Sequence, residues 1–181
     1  MEIQFLGRSC FRIKGREVIL VTNPFVKTFA DIVTVSKGDQ EDVNPDLVKG
    51  TKRRPQPFIV DAPGEYEISG VSILGRKSKE TVIYIIDMDG LRLVHLGNLR
   101  WKLEEEQLEE INGVDVLFVP VEAAEVVSQV EPKIVVPMGY KSPDNFLKLM
   151  GVEEVKPVSK LLISKEGLPE ERQVLVLDAR S

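Results

Sequence analysis

A short acidic segment carries the densest set of chemically active side chains in this sequence. Asp39, Glu41 and Asp42 place three carboxylates within four residues, directly after the apolar segment 31–36. Carboxylate oxygens are the ligands that hard divalent cations prefer, so magnesium, manganese or calcium could bind here. The spacing of a twelve-residue calcium loop is absent, and the neighbouring Lys37 has no lone pair to offer a cation. A solvated acidic turn is therefore the preferred interpretation.

The sequence has a single histidine, His95, and a single cysteine, Cys10. A catalytic zinc usually takes three protein ligands, mostly histidine nitrogens and cysteine thiolates, so two such side chains are too few. His95 could act as a general base, but a histidine buried in a strand and held by backbone partners is the preferred interpretation. We expect Cys10 to be a small buried hydrophobe, and a lone cysteine fits a reducing cytoplasm.

Composition and charge limit the class of protein. The chain has 181 residues, of which 43% are hydrophobic and 29% charged, so we expect one globular domain spanning residues 1–181. The net charge of −5 argues against nucleic acid as a partner. No apolar run approaches the ~20 residues of a membrane helix, and the first residues lack the features of a signal peptide. We therefore expect a cytoplasmic protein that does not bind membranes.

The elements that position these side chains follow from the apolar patterns. Asp89-Gly90 lies between two apolar segments and predicts a two-residue type I′ hairpin turn. Apolar and β-branched segments predict strands at 3–6, 10–13, 17–22, 31–36, 81–88, 91–96, 115–120, 133–137, 161–164 and 173–178. Helical spacing and capping residues predict helices at 103–111, 123–130 and 143–150, and a polar loop is expected at 44–57. Many strands with few helices indicate packed sheets with helices outside.

Several segments, taken in order, resemble the metallo-β-lactamase superfamily. The branch they resemble most is that of the compact metal-dependent hydrolases similar to ascorbate-6-phosphate lactonase. The matching segments are 3–13, 22–25, 30–36, 63–67, 89–99, 115–121 and 132–140. The resemblance implies a mixed α/β fold, a four-layer αββα sandwich, with the functional site at one edge of its two sheets.

The departures from this family fall on its metal-ligand positions. Where the family has Ser-His-x-His-x-Asp-His, this chain keeps Ser36 but changes the ligands that follow. The ligand positions hold Arg8, Asn23, Lys37, Asp39, Glu41, Asp42, Asn98 and Gly139. The family's histidine-bearing loop after Gly75 is shortened to 76–80 and contains no histidine. The resemblance therefore implies the family's fold but a metal-free version of its pocket, with His95 and Tyr140 as neighbours.

These substitutions favour a pseudoenzyme that has no metal or other cofactor and has a binding or scaffold role. Without zinc, the pKa of a bound water is not lowered toward ~7, and the Lewis acid of the family mechanism is missing. Lys37, together with Arg8, could supply the positive charge that a metal gave to the carboxylates. The partner is an unknown small molecule or protein, and assembly into a homo-oligomer is left open.

Two other functions stay open at this point. The first is a hydrolase with a rebuilt oxygen-ligand site for magnesium, manganese or calcium, formed by Asp39, Glu41, Asp42 and Asn98. The second is a metal-free acid–base enzyme that uses His95, a carboxylate and Tyr140.

Overall fold

The N-terminal apolar segments form a six-stranded sheet in the computed structural model, which describes residues 1–36 and 42–179. Its strands are β1 (Glu2–Gly7), β2 (Cys10–Lys14), β3 (Ile19–Thr22), β5 (Ile32–Thr34), β7 (Phe58–Val60) and β14 (Leu161–Leu162). They lie in the order β14-β1-β2-β3-β5-β7. Strands β4 (Thr28–Phe29) and β6 (Val48–Lys49) pair separately as a small parallel sheet.

The second sheet has seven strands. They are β8 (Gly64–Ile68), β9 (Val71–Ser78), β10 (Thr81–Met88), β11 (Leu91–His95), β12 (Val116–Pro120), β13 (Ile134–Met138) and β15 (Gln173–Val174). Their order is β15-β13-β12-β11-β10-β9-β8, with β11, β12 and β13 parallel to one another. Because parallel strands share one direction, the carboxyl ends of these three strands meet at the same edge of the sheet.

The helices are short and lie in the second half of the chain. They are α1 (Glu105–Glu110), α2 (Val126–Val130) and α3 (Asp144–Leu149). In the described ranges, no helix has the length and apolar character needed to cross a membrane.

The two sheets pack face to face. Phe11 of the first sheet and Phe118 of the second are fully buried in the shared core, with ring centroids 4.4 Å apart. A second core lies between the outer face of the seven-stranded sheet and the helices, and it includes Val127 and Phe146. A third, smaller core covers the outer face of the six-stranded sheet. The layers form the predicted αββα sandwich, and in the described residues the layer over the first sheet contains a 3₁₀ turn at Pro45–Leu47 and the small parallel sheet.

The predicted hairpin is confirmed, because Met88 pairs with Leu91 across Asp89-Gly90. The prediction of a loop at 76–80 was wrong for its first part. Strand β9 continues to Ser78, so only two residues connect it to β10. The side chains of residues 76–78 are polar and therefore did not indicate a strand. In the structure these residues pair with β10, in a ladder that extends from Asp87 to Thr81. The helix predicted at 123–130 is split into a 3₁₀ turn at Val121–Ala123 and the five-residue α2.

Candidate functional site

A cavity of about 390 Å³ opens where the carboxyl ends of the parallel strands meet the first sheet. The connections after β1, β3, β11 and β13 and the segment after β12 contribute to its wall. Its lining residues are Arg8, Ser9, Asn23, Phe25, Asp42, Val43, Gly97, Asn98, Pro120, Glu122, Met138 and Gly139. The topology therefore brings Arg8, Asn23, Asp42, Asn98 and Gly139 to one place, although they are far apart in sequence.

Arg8 forms an ion pair at the mouth of this cavity. Its Nη1 donates to Oδ2 of Asp42 at 2.6 Å, and both side chains are more than half exposed. The guanidinium carbon also lies 4.7 Å above the centre of the Phe25 ring. Arg8 thus supplies positive charge to Asp42, whereas Lys37, Asp39 and Glu41 lie outside the described residues.

Asn23 is buried at the base of the cavity, and its amide is used within the protein. Its Oδ1 accepts the backbone N–H of Ser36 at 2.8 Å, and its Nδ2 donates to Oγ of Ser9 at 3.1 Å. Its backbone N–H donates to the carbonyl of Thr34 at 2.8 Å. Asn23 therefore connects the ends of β3 and β5 to the turn after β1.

His95 is fully buried beneath the cavity and does not line it. The N–H of Gly97 donates to its Nδ1 at 3.2 Å, so the proton is on Nε2, which donates to the Ser9 carbonyl at 2.9 Å. Burial lowers the pKa of His95 to about 4, although the hydrogen bond to Ser9 opposes this shift. These contacts describe a neutral histidine that holds the turn after β1 against the end of β11.

The glycines at the ends of β11 and β13 differ in the space around them. Gly97 has φ +59°, and a Cβ there would lie 2.4 Å from Oγ1 of Thr81. Gly139 has φ +73°, and a Cβ there would meet nothing within 4 Å. Gly139 therefore leaves open space where a larger side chain would point.

Tyr140 lies next to Gly139 in the chain but does not line the cavity. It is half-buried against the core between the sheets, and its ring centroid is 6.2 Å from that of Phe5. Burial is the main cause that raises the pKa of Tyr140, and nearby Asp178 adds to it. His95 and Tyr140 are thus separated from the space that a bound molecule would occupy.

The described lining residues do not fit a transition-metal ion. Within residues 1–36 and 42–179, no group of three or more His, Cys, Asp or Glu side chains could hold a metal. Arg8 has no lone pair, Gly139 has no side chain, and the amide oxygen of Asn23 accepts a backbone N–H. Imidazole and thiolate ligands, which zinc prefers, are missing from the lining, because His95 and the buried Cys10 both lie outside it.

Sequence reasoning did not identify several lining residues, among them Phe25 and Glu122. A signal for Glu122 was present, because it follows β12 and the carboxyl ends of adjacent parallel strands share an edge. No sequence pattern indicates Phe25. Its contact with Arg8 forms only in the folded protein, because the two residues lie in different connections between strands.

The sequence and the fold agree with a known family. Residues 2–139 match the profile described as the beta-lactamase superfamily domain. The chain belongs to this superfamily, and to its metallo-β-lactamase-fold, metal-dependent hydrolase family.

Individual relatives support the assignment. A structure named as a candidate Zn-dependent hydrolase of the metallo-β-lactamase superfamily from Thermotoga maritima is 32% identical, with a TM-score of 0.83 and 98% of both chains covered. A UPF0173 metal-dependent hydrolase of Thermococcus onnurineus is 24% identical over 209 aligned positions, which cover 83% of this chain and 92% of the relative. A metallo hydrolase from Ignicoccus hospitalis shares the fold with a TM-score of 0.64 at 16% identity, covering 90% of this chain and 99% of that one.

Proposed function

We propose that this chain is a metal-free pseudoenzyme of the family that binds a small molecule in the rim cavity. The observation that carries the proposal is the combination of a cavity at the sheet edge with described lining residues that do not suit zinc. Arg8 and Gly139 cannot act as side-chain ligands, and the amide of Asn23 is already bonded on both sides. Without a metal, the chain lacks the Lewis acid and the activated water of metal-dependent hydrolysis.

The backbone around the cavity supports retention of a binding site. The lining residues in the left-handed region are Arg8, Asn23, Asp42, Gly97 and Gly139, with φ between 41° and 80°. For a residue such as Arg8, which has a Cβ, this conformation costs on the order of 1 kcal/mol. Strained backbone often clusters at ligand sites, where the surrounding structure holds it in place. The cavity rim has this strained backbone although its described residues do not suit zinc. We therefore favour ligand binding as the role of the cavity.

Metal-dependent hydrolysis is the competing proposal, because the Thermococcus relative is named a metal-dependent hydrolase. In this chain it would require an oxygen-ligand site that includes Asp42, which is already paired with Arg8 at 2.6 Å. A bound cation would have to compete with that guanidinium.

Elemental analysis of the purified full-length chain, before and after equilibration with zinc, manganese or magnesium, tests the proposal. We expect far less than one metal ion per chain in every case, and no turnover in a phosphodiesterase, lactonase and esterase panel. The matched control is Asp42→Asn, which should show the same background metal content. Stoichiometric metal that disappears in Asp42→Asn would establish the oxygen-ligand hydrolase instead. Turnover that persists with a chelator and disappears in His95→Gln would favour acid–base catalysis.

A further inference from the structure

Strand β8 forms one edge of the seven-stranded sheet. It pairs with β9 through a hairpin whose two-residue turn, Ser69-Gly70, has φ +53° and +79°. Within residues 1–36 and 42–179, no other strand pairs with β8. An edge strand of this kind presents backbone N–H and C=O groups to which another strand can bind. With five residues, β8 has the ordinary length of a strand and is long enough for such pairing.

The register of the hairpin determines which backbone groups of β8 point to this edge. Ile68 and Val71 flank the two-residue turn and exchange two hydrogen bonds, and such bonded pairs recur at every second position. Glu65 and Glu67 occupy the positions between, so their N–H and C=O groups point away from β9. No hydrogen bond reaches the backbone of these two glutamates in the part of the chain that the structure describes. Four backbone groups are thus available to an added strand.

The side chains of β8 divide into an acidic face and an apolar face. Glu65 and Glu67 are exposed on the outer face of the sheet, where the side chain of Glu65 is 81% exposed. Tyr66 and Ile68 lie on the inner face, with the core between the sheets. The ring of Phe58 in β7 lies 6.4 Å from that of Tyr66, and Phe58 is still 39% exposed. An added strand would therefore meet carboxylates on one face and apolar surface on the other.

The negative charge beside this edge is only partly neutralised. Glu65 lies 3.7 Å from Arg76, but the same guanidinium is bound by Glu110 at 2.7 Å. Glu67 has no ion pair in the described ranges, and the exposed Asp61 lies in the connection that leads into β8. Opposite charges directly across a strand pair stabilise it, and like charges destabilise it. Basic side chains in an added strand would therefore complement the acidic face.

The same charges argue against a second copy of this chain as the partner. If two copies paired antiparallel through the backbones of Glu65 and Glu67, glutamates of one copy would face glutamates of the other. Like charges in directly opposite positions destabilise a strand pair. The edge therefore disfavours its own copy and favours a basic strand, which is how repulsion contributes to specificity.

We propose that β8 docks an extended segment of a partner protein in which basic and apolar residues alternate. The segment pairs antiparallel with β8, places its basic side chains beside Glu65 and Glu67, and covers Phe58 with its apolar side chains. Main-chain hydrogen bonds supply affinity in this mode of recognition, and alternate side chains supply specificity. The described lining of the rim cavity contains none of these residues, so this interaction is additional to small-molecule binding.

Titration of the isotope-labelled full-length chain with synthetic peptides, followed by NMR, tests the proposal. The probe is the peptide Ser-Lys-Val-Lys-Val-Lys-Val-Ser, capped at both ends. We expect it to bind and to slow hydrogen exchange at the N–H groups of Glu65 and Glu67. Methylation of the backbone nitrogens of its lysines removes the donors that face β8 and should weaken binding more than about tenfold. Methylation of its valine nitrogens, which face solvent, is the matched control and should leave the affinity unchanged.

An exchange of charges tests the specificity. A peptide with glutamate in place of each lysine should bind the unmodified chain more than about tenfold more weakly than the basic probe. The double variant Glu65→Lys/Glu67→Lys should reverse this preference, because its outer face becomes basic. The matched control is Glu153→Lys/Glu154→Lys, which changes the same number of charges in the exposed connection after α3. It should keep the preference for the basic probe.

Several results would overturn the proposal: no binding of the basic probe, equal weakening by both methylations, or an unchanged preference in Glu65→Lys/Glu67→Lys. A dimer of the unmodified chain in which the N–H groups of Glu65 and Glu67 are already protected would also overturn it, because a second copy would occupy the edge. If the double variant does not fold, the two methylated peptides still test the pairing on the unmodified chain. None of these results depends on metal content, so the elemental analysis tests the pseudoenzyme proposal separately.

Discussion

The two ends of the parallel strands β11–β13 use charged residues in opposite ways. At the amino ends, Asp115 is buried, with a side chain 5% exposed, and accepts the backbone N–H of Arg92 at 2.8 Å and the Lys165 ammonium at 2.8 Å. At the carboxyl ends, the Arg8–Asp42 pair is open to solvent and borders a cavity. The first arrangement joins elements of the fold and is shielded from water, whereas the second is exposed to solvent.

Hydrogen bonding explains the difference between these ends. Arg92 also makes two hydrogen bonds to the carboxylate of Asp87, each 2.8 Å long, and so connects β10 to β11. A buried charge is stable only when it is paired and hydrogen-bonded, so the amino ends have little tolerance for change. The carboxyl ends are less constrained at their surface, where the Arg8–Asp42 pair is exposed to solvent.

The largest expected effect lies directly beneath the cavity, at His95. Its pKa is lowered to about 4 by burial, against 6.5 for the ordinary side chain. Between these values the unfolded chain binds a proton that the folded chain excludes, so stability present above pH 6.5 is lost as the pH falls toward 4. We expect His95 to account for about 3 kcal/mol of this loss. Urea unfolding of the unmodified chain and of His95→Gln at several pH values measures the free energy of unfolding of each protein. The difference between the two pH profiles isolates His95, because the other titrating groups contribute equally to both.

Parallel pH profiles for these two proteins would contradict this prediction. They would mean that the pKa of His95 is not lowered in the folded protein, and that its surroundings admit water or charge.

The second expected effect compares the same substitution at the two ends of the strands. Asp115→Asn removes a buried charge that binds both Lys165 and a backbone N–H, and we expect a loss of about 2–3 kcal/mol in the free energy of unfolding. Asp42→Asn removes the exposed partner of Arg8 and should change it by less than about 1 kcal/mol. Chemical denaturation measures both values. Equal losses would remove the distinction between the buried charge at the amino ends and the exposed ion pair at the carboxyl ends.

The smallest expected effect separates two glycines at the cavity edge. Gly97→Ala combines a left-handed backbone with a Cβ 2.4 Å from Oγ1 of Thr81 and 2.8 Å from Cβ of Ser36, so we expect a loss of about 2 kcal/mol. Gly139→Ala meets open space and should lose only about 1 kcal/mol from backbone strain. Thermal and urea unfolding of the two variants provide the comparison. A larger loss at Gly139 would show that the space beside it is not available to a side chain.

Much of the fold could be predicted because its signals are local. The turn at Asp89-Gly90 requires positive φ at both residues, and the structure has +53° and +79° there. Strands β7 and β9 were missed for the opposite reason. β7 has three residues and gains its identity from parallel pairing with β5, while the polar end of β9 becomes a strand through its ladder with β10. Propensity is a weak guide where pairing with a distant strand decides the outcome.

For the candidate site, the resemblance could mark positions in the sequence but not the contacts of their side chains. The resemblance marked Arg8, Asn23, Asn98 and Gly139, which the structure places around one cavity. It could not show that the amide of Asn23 is bonded on both sides or that Phe25 supports Arg8. Side-chain direction depends on the backbone of neighbouring connections, and the sequence does not contain that information in local form.

Amino-acid types alone determined which donors this protein has: one imidazole, one thiol and several carboxylates, set in an alternating order of strands and turns. These properties depend on residue type and on local sequence, so they can be predicted without knowledge of the tertiary structure. Only the tertiary structure decided that the imidazole is buried and neutral, and that Arg8 meets Asp42 across 34 positions of chain. Burial and long-range pairing arise when two sheets close on one another, because desolvation and contact geometry belong to the assembled sandwich and not to any single segment.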